Sequence, residues 1–344
     1  MTPARKRILL GALWLVPIVG IVWWATKQEA PTFPDSTGGW LALAGGLGLY
    51  TVATLMRAER WERILRRADV RAKRADVYAL TPIGYMGNNV LPARGGELLR
   101  TFLLGARVEG TTKRTILGTI LAERVLDAVA LGIILVVLAS DLLGDLPKPS
   151  GTLLLAGAGV VVLLLVGAAV ALLKFRERLM FVLESLLPML APVKQLLSGT
   201  GAVLLVVSLL IWVVEASVYK MVGHALHIEL SIRDGLAVVA FTNAASLIPA
   251  APGYIGTYDA AVIFAVNAVT NAPRSAVLSY LILLRFVLFV PITVVGFVLL
   301  VVRYGGLSRV RAARDAARDE ERTEHEAAAA ARAETHVDAA AQTA

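Results

Sequence analysis

The 22 residues from Thr152 to Leu173 contain no charged side chain. At a rise of about 1.5 Å per residue, a helix of that length is about as long as the hydrocarbon layer of a bilayer is thick. Soluble domains rarely bury such a run, so the chain reads as a membrane protein. Ile8–Ala25 is a second run of 18 apolar residues; Arg5, Lys6 and Arg7 precede it and no clear small-residue cleavage site follows. It reads as an uncleaved anchor with a cytoplasmic N-terminus. Of the 344 residues 57% are apolar and 17% charged, and none is cysteine. That composition excludes a disordered chain, a disulfide scaffold, thiol catalysis and Cys-ligated metal.

Length and polarity place six plain spans at 8–25, 40–56, 116–139, 152–173, 201–222 and 275–302. Two further apolar segments, about 78–104 and 235–270, are interrupted near their middles by Pro, Gly and Asn. The first contains GYMGNNVLPARGGELLR (Gly84–Arg100) and the second FTNAASLIPAAPGYIGTYD (Phe241–Asp259). A break in a helix frees backbone N–H and C=O groups at several kcal/mol each in lipid, so such segments belong inside protein or beside water. Both are expected to be re-entrant hairpins. The fold class is therefore an all-α polytopic membrane protein with six spanning helices and two re-entrant broken-helix hairpins.

Of the 34 Lys and Arg residues, this topology places 25 on the cytoplasmic side, including all eight between Arg57 and Arg74, and four outside. The asymmetry predicts a membrane protein with both termini in the cytoplasm. The basic loop 57–74 also suits anionic headgroups, and Lys174–Ser198 reads as a kinked interfacial helix. Each hairpin precedes a span carrying charge, and the two hairpins enter from opposite sides. That is the outline of an inverted repeat, a common build of alternating-access transporters.

Charge inside the membrane costs several kcal/mol unless it meets partners or water, so these residues are the candidate site. Glu123 and Asp127 stand at i and i+4 on one face, with Arg124 turned about 100° away. Glu97 and Arg100 form an i, i+3 pair after Pro92, and Arg94 sits in the first break. Asp259 follows the second break, and Glu215 and Arg285 lie well inside apolar spans. The competing reading is that these ion pairs only pin helices together. Asn88, Asn89 and Asn243 are candidate ligand contacts too, although amides near a break more often satisfy its freed backbone groups. Half-helix N-termini after Pro92 and after Gly253–Gly256 would aim N–H groups at one cavity and favour an anion such as phosphate.

Four motifs resemble a known family: LPARGGELLR (Leu91–Arg100), ERVLD (Glu123–Asp127), the P-x-x-P-G-x-x-G-x-x-D stretch Pro249–Asp259, and Arg285 within SYLILLRFVLF. Together they resemble the lysylphosphatidylglycerol synthase transmembrane region, a flippase-like family, over roughly residues 8–305. The resemblance implies a plasma-membrane protein and lipid translocation, the role proposed for this module in synthases that aminoacylate phosphatidylglycerol. Family members commonly show P-G-G-x-G before a Glu; here Tyr254 takes a Gly position and Asp259 the acid position.

Residues 1–305 are expected to form the membrane domain and 306–344 a cytoplasmic Ala/Arg/Glu-rich tail, helical or disordered, with no core to fold around. Without an aminoacyltransferase domain, synthase activity is not expected. No P-loop, dinucleotide or H-E-x-x-H motif occurs, so no cofactor or metal is expected. The reading is a non-enzymatic translocator of a phospholipid or lipid-linked phosphate. Its site comprises Arg94, Glu97, Arg100, Glu123, Asp127, Asp259, Arg285, Asn88, Asn89 and Asn243. Membrane lipids are its partners, with a second copy or an envelope enzyme as a possible protein partner; nucleic acid is not expected. The alternative is a non-transporting membrane partner of an envelope glycosyltransferase or lipid-modifying enzyme. An intramembrane enzyme acting on a lipid phosphate is a third reading.

Overall fold

The computed structural model describes residues 32–91, 94–145, 191–194, 196, 198–246 and 252–306, and every regular element among them is helical. The expected spans 8–25 and 152–173, most of the interfacial stretch 174–198, and the tail beyond 306 lie outside the described residues. In chain order the long elements are α1 (Thr37–Arg67), α2 (Arg74–Val90), α3 (Gly95–Gly105), α4 (Lys113–Asp145) and α5 (Gly199–His224). There follow α6 (Ile232–Ala245), α7 (Thr257–Val269) and α8 (Arg274–Tyr304). Among the described residues α1, α5 and α8 are long and apolar enough to cross a membrane.

The two interrupted segments each form a pair of helices around a break. Leu91 ends α2 in an extended conformation (φ −97°, ψ 145°), as expected of the residue before Pro92, whose ring excludes the helical region there. The chain then turns at Arg94, which has φ 54°, and α3 folds back on α2. Glycines permit that approach: a Cβ on Gly96 would stand 1.9 Å from the Gly84 carbonyl oxygen, and one on Gly87 would stand 2.5 Å from the Gly96 Cα. In the second segment α6 begins at a reciprocal cap. Ser231 Oγ accepts from the Asp234 N–H at 3.1 Å, and Asp234 Oδ2 accepts from the Ser231 N–H at 2.9 Å. A short 3₁₀ turn at Pro252–Tyr254 then leads through Gly256 (φ 91°) into α7, which packs on α6.

α1 departs from expectation. Its predicted span stopped at residue 56 because Arg57 and Arg60 read as the start of a basic loop, yet the helix continues to Arg67 with both arginines buried. They leave the count of loop charges because carboxylates on facing helices neutralise them. Arg57 pairs with Glu215 of α5, and Arg60 lies 2.7 Å from Asp127 of α4.

Two apolar cores flank this charged layer. One joins Ala42–Tyr50 of α1 to Trp212 and Tyr219 of α5, Val262 of α7 and Tyr280 and Leu284 of α8. The other joins Trp61 and Leu65 of α1 to Leu80 and Ile83 of α2, Leu104 of α3, Ile116 and Ile120 of α4 and Leu300 and Tyr304 of α8. On α1 the two buried arginines fall between the cores. On α4 Glu123, Arg124 and Asp127 do so, since Ile120 belongs to one core and Ala130 to the other.

Candidate functional site

A cavity of about 130 Å³ lies where the two breaks meet. The first break supplies Asn88, Asn89, Arg94 and Glu97; the second supplies Asn243, Ser246, Tyr254 and Tyr258. The long helices complete it with Tyr50, Tyr85, Arg124, Glu215, Tyr219, Leu288 and Phe289. The space is smaller than the roughly 300–1,000 Å³ of sites that enclose a whole organic ligand, so it suits a small polar group.

The three asparagines line this cavity, and each also works for the scaffold. Asn88 Oδ1 accepts from the Gly96 N–H at 3.0 Å, satisfying one of the donors exposed at the start of α3. Asn243 Nδ2 donates to the Val239 carbonyl at 2.9 Å, and Asn89 Nδ2 donates to Thr293 Oγ1 at 2.9 Å. The second half-helix is capped from within: Asp259 Oδ2 accepts from the Gly256 N–H at 2.8 Å. Its other carboxylate oxygen pairs with Arg285, which also donates to the Gly253 carbonyl at 3.1 Å and faces the rings of Tyr258 and Phe289. Asp259 and Arg285 therefore hold the second break in shape, and neither lines the cavity.

Three more of the expected site residues, Arg100, Glu123 and Asp127, lie behind the cavity wall in a buried network. Arg100 donates to Glu123 Oε2 at 2.8 Å, with its guanidinium carbon 3.7 Å from the Trp61 ring centroid. Glu123 lies 4.0 Å from Arg60, Arg60 lies 2.7 Å from Asp127, and Asp127 lies 3.3 Å from Arg124. Arg124 in turn lies 3.1 Å from Glu97. Because Glu97 and Arg100 share α3, these six alternating charges close a ring through α1, α3 and α4. The expected i, i+3 pairing of Glu97 with Arg100 is corrected here. Each side chain finds a separate partner on α4, where an ion pair also fastens one helix to another.

Sequence reasoning missed Arg57, Arg60 and the five tyrosines, and it turned Arg124 away from the acids it joins. With those arginines included, the described residues of the layer comprise six guanidinium groups (Arg57, Arg60, Arg94, Arg100, Arg124, Arg285) and five carboxylates (Glu97, Glu123, Asp127, Glu215, Asp259). Arg94 carries the surplus charge. Among the described residues it has no carboxylate partner, donating instead to the Ser246 carbonyl at 3.2 Å and facing the Tyr254 ring at 5.8 Å. A cavity wall with one uncompensated guanidinium attracts a group bearing one negative charge. Among the described residues no group of three or more His, Cys, Asp and Glu could hold a metal ion.

No curated protein and no solved structure matches the chain. The sequence model described as the lysylphosphatidylglycerol synthase TM region matches residues 8–296, which takes in both breaks, the charged ring and the capped second half-helix. The chain is accordingly a membrane protein that belongs to the lysylphosphatidylglycerol synthase transmembrane-region family.

Proposed function

We propose that this protein translocates a phospholipid or lipid-linked phosphate across the plasma membrane, holding the phosphate at Arg94 in the cavity between the two breaks. The observation that carries the reading is a guanidinium with no carboxylate partner among the described residues, at a polar cavity walled by two interrupted helices. Interrupted helices at membrane depth are the usual place for transported polar groups, because their freed backbone lines a hydrated cavity. In this reading the two helix pairs are re-entrant hairpins of an inverted repeat, and both termini lie in the cytoplasm. The lipid's headgroup enters the cavity while its chains stay in the bilayer. The protein performs no covalent chemistry. Its partners are membrane lipids, with a second copy or an envelope enzyme as the protein partner.

Proteoliposomes containing only this protein test the proposal. Headgroup-resolved movement of labelled phospholipids should exceed that of empty vesicles and fall at least tenfold on Arg94→Gln, with a milder loss for Arg94→Lys, which keeps the charge without the two-pronged geometry. Absence of movement for every headgroup would favour the non-transporting membrane partner.

A further inference from the structure

Of the five carboxylates in the charged layer, Glu97 is held least. Glu123, Asp127, Glu215 and Asp259 each accept a hydrogen bond from an arginine. Glu97 lies 3.1 Å from Arg124 Nε, but that N–H is not aligned on the oxygen. Both Glu97 Oε1 and Arg124 Nε are buried with no hydrogen-bond partner. Both residues line the cavity, and Arg94 stands beside them. Arg124 has a second carboxylate in Asp127, whereas Glu97 has no second cation among the described residues.

We infer that Glu97 is an exchange carboxylate: it pairs with Arg124 until the phosphodiester of an anionic lipid takes its place, and it then takes up a proton. The inference rests on the proposed headgroup site and adds the coupling of that site to protons. A phosphodiester carries one negative charge, which the surplus charge of Arg94 balances. To use Arg124 as well, it must displace Glu97, the weakest contact on that guanidinium.

The groups facing the displaced carboxylate then decide its state. α1 offers Tyr50, α2 offers Tyr85, and α5 offers Tyr219 and Glu215, the last an acid already committed to Arg57. The second break and α7 offer Tyr254 and Tyr258, while α6 and α8 present only uncharged side chains. Among the described residues the only cations facing it, Arg94 and Arg124, are the two that the phosphate occupies. A desolvated carboxylate without a cation costs several kcal/mol, and neutralisation removes that cost. The step is one proton from water joining one carboxylate oxygen, reversed when the lipid leaves, and no other bond changes. Movement of an anionic headgroup is thereby accompanied by one proton and is electrically neutral.

The test is calorimetric titration of the purified protein with dihexanoyl phosphatidylglycerol, which has a phosphodiester and no amine, in buffers of different ionisation enthalpy. Uptake of about one proton per lipid is expected, with affinity tightening by up to about tenfold for each unit the pH is lowered. Glu97→Gln should bind the same lipid with no proton uptake and little dependence on pH. Wild-type binding without proton uptake, the same uptake in Glu97→Gln, or no binding at all would each overturn the inference. If the variant does not fold, the wild-type proton count decides alone. Inorganic phosphate at the same concentrations should not bind; binding with the same uptake would overturn the assignment of the anion to a lipid. Vesicle movement of lipid without proton uptake on binding would sink the coupling and leave translocation standing.

Discussion

Arg94 and Tyr254, one in each break, both adopt a left-handed backbone conformation, with φ of 54° and 55°, and the arginine's guanidinium carbon lies 5.8 Å from the tyrosine's ring centroid. Such a conformation costs a residue with a Cβ roughly 1–2 kcal/mol. Two such residues in contact across a cavity mark the place where the fold accepts local strain.

Tyr254→Gly and Tyr254→Ala lose the same ring, but only glycine is relieved of the left-handed conformation, so Tyr254→Gly should be more stable than Tyr254→Ala by about 1–2 kcal/mol. Thermal unfolding of the two variants in one detergent checks the order.

The glycine contact in the first hairpin admits no side chain. Gly96→Ala should destabilise the fold by at least about 1–3 kcal/mol, because its Cβ would stand 1.9 Å from a backbone oxygen of Gly84 that cannot rotate aside. Gly132→Ala, in α4 with nothing within 4 Å of its Cβ, should be neutral or stabilising by up to about 1 kcal/mol. Equal melting temperatures for the two variants would contradict the close approach of α2 and α3.

Arg94 and Arg100 should differ sharply when each is replaced by Gln. Arg100→Gln leaves Glu123, only 3% exposed, without its nearest hydrogen-bonding cation, and should cost about 3–5 kcal/mol. Arg94→Gln orphans no carboxylate and should change stability by less than about 1 kcal/mol. Denaturant or thermal unfolding measures both. A large loss for Arg94→Gln would mean that its role is structural.

Asp76 joins the start of α2 to the end of α8. Its Oδ1 accepts from Arg107 at 2.5 Å, from Arg303 at 3.0 Å and from the Tyr304 hydroxyl at 3.1 Å. Burial pushes the Asp76 carboxyl up, but Arg303, Arg107 and Tyr304 outweigh it and hold the group below the usual carboxylate range. A lowered native pKa contributes stability above the unfolded value of about 3.9, and that contribution disappears as pH falls through the native value. Asp76→Asn should thus melt lower than wild type at neutral pH by about 1–3 kcal/mol, with the gap closing below about pH 4. A gap that persists in acid would point to lost packing rather than lost charge.

The spans 201–222 and 275–302, and the first part of α1, were legible because an apolar run of membrane length has few other uses. The breaks were legible because Pro92 and Gly253 interrupt such runs. Arg57 and Arg60 were not, since a basic residue at the end of an apolar run has the same pattern whether it faces the cytoplasm or a buried acid. Only the facing carboxylates of Glu215 and Asp127 decide, and they come from helices far along the chain. The cavity tyrosines gave no signal for a similar reason: one ring in an apolar helix looks the same facing lipid or facing Arg94. The acids were found by their cost in lipid. Which of them face the cavity depended on pairings that spacing along one helix does not determine.

The partners of Asp76 also bear on how the nascent chain is made. Arg303 and Tyr304 are its hydrogen-bond donors from 227 and 228 residues downstream, at the far end of α8. When the first hairpin leaves the ribosome, these two donors have not been synthesised. Gly296, against which Pro82 and Met86 close, is equally late. The first hairpin is therefore made when α1 is the only packing partner already synthesised among the described helices, and the face that α8 covers stays open until α8 follows. Premature termination before α8 would leave that hairpin exposed, as a ready substrate for membrane quality-control proteases.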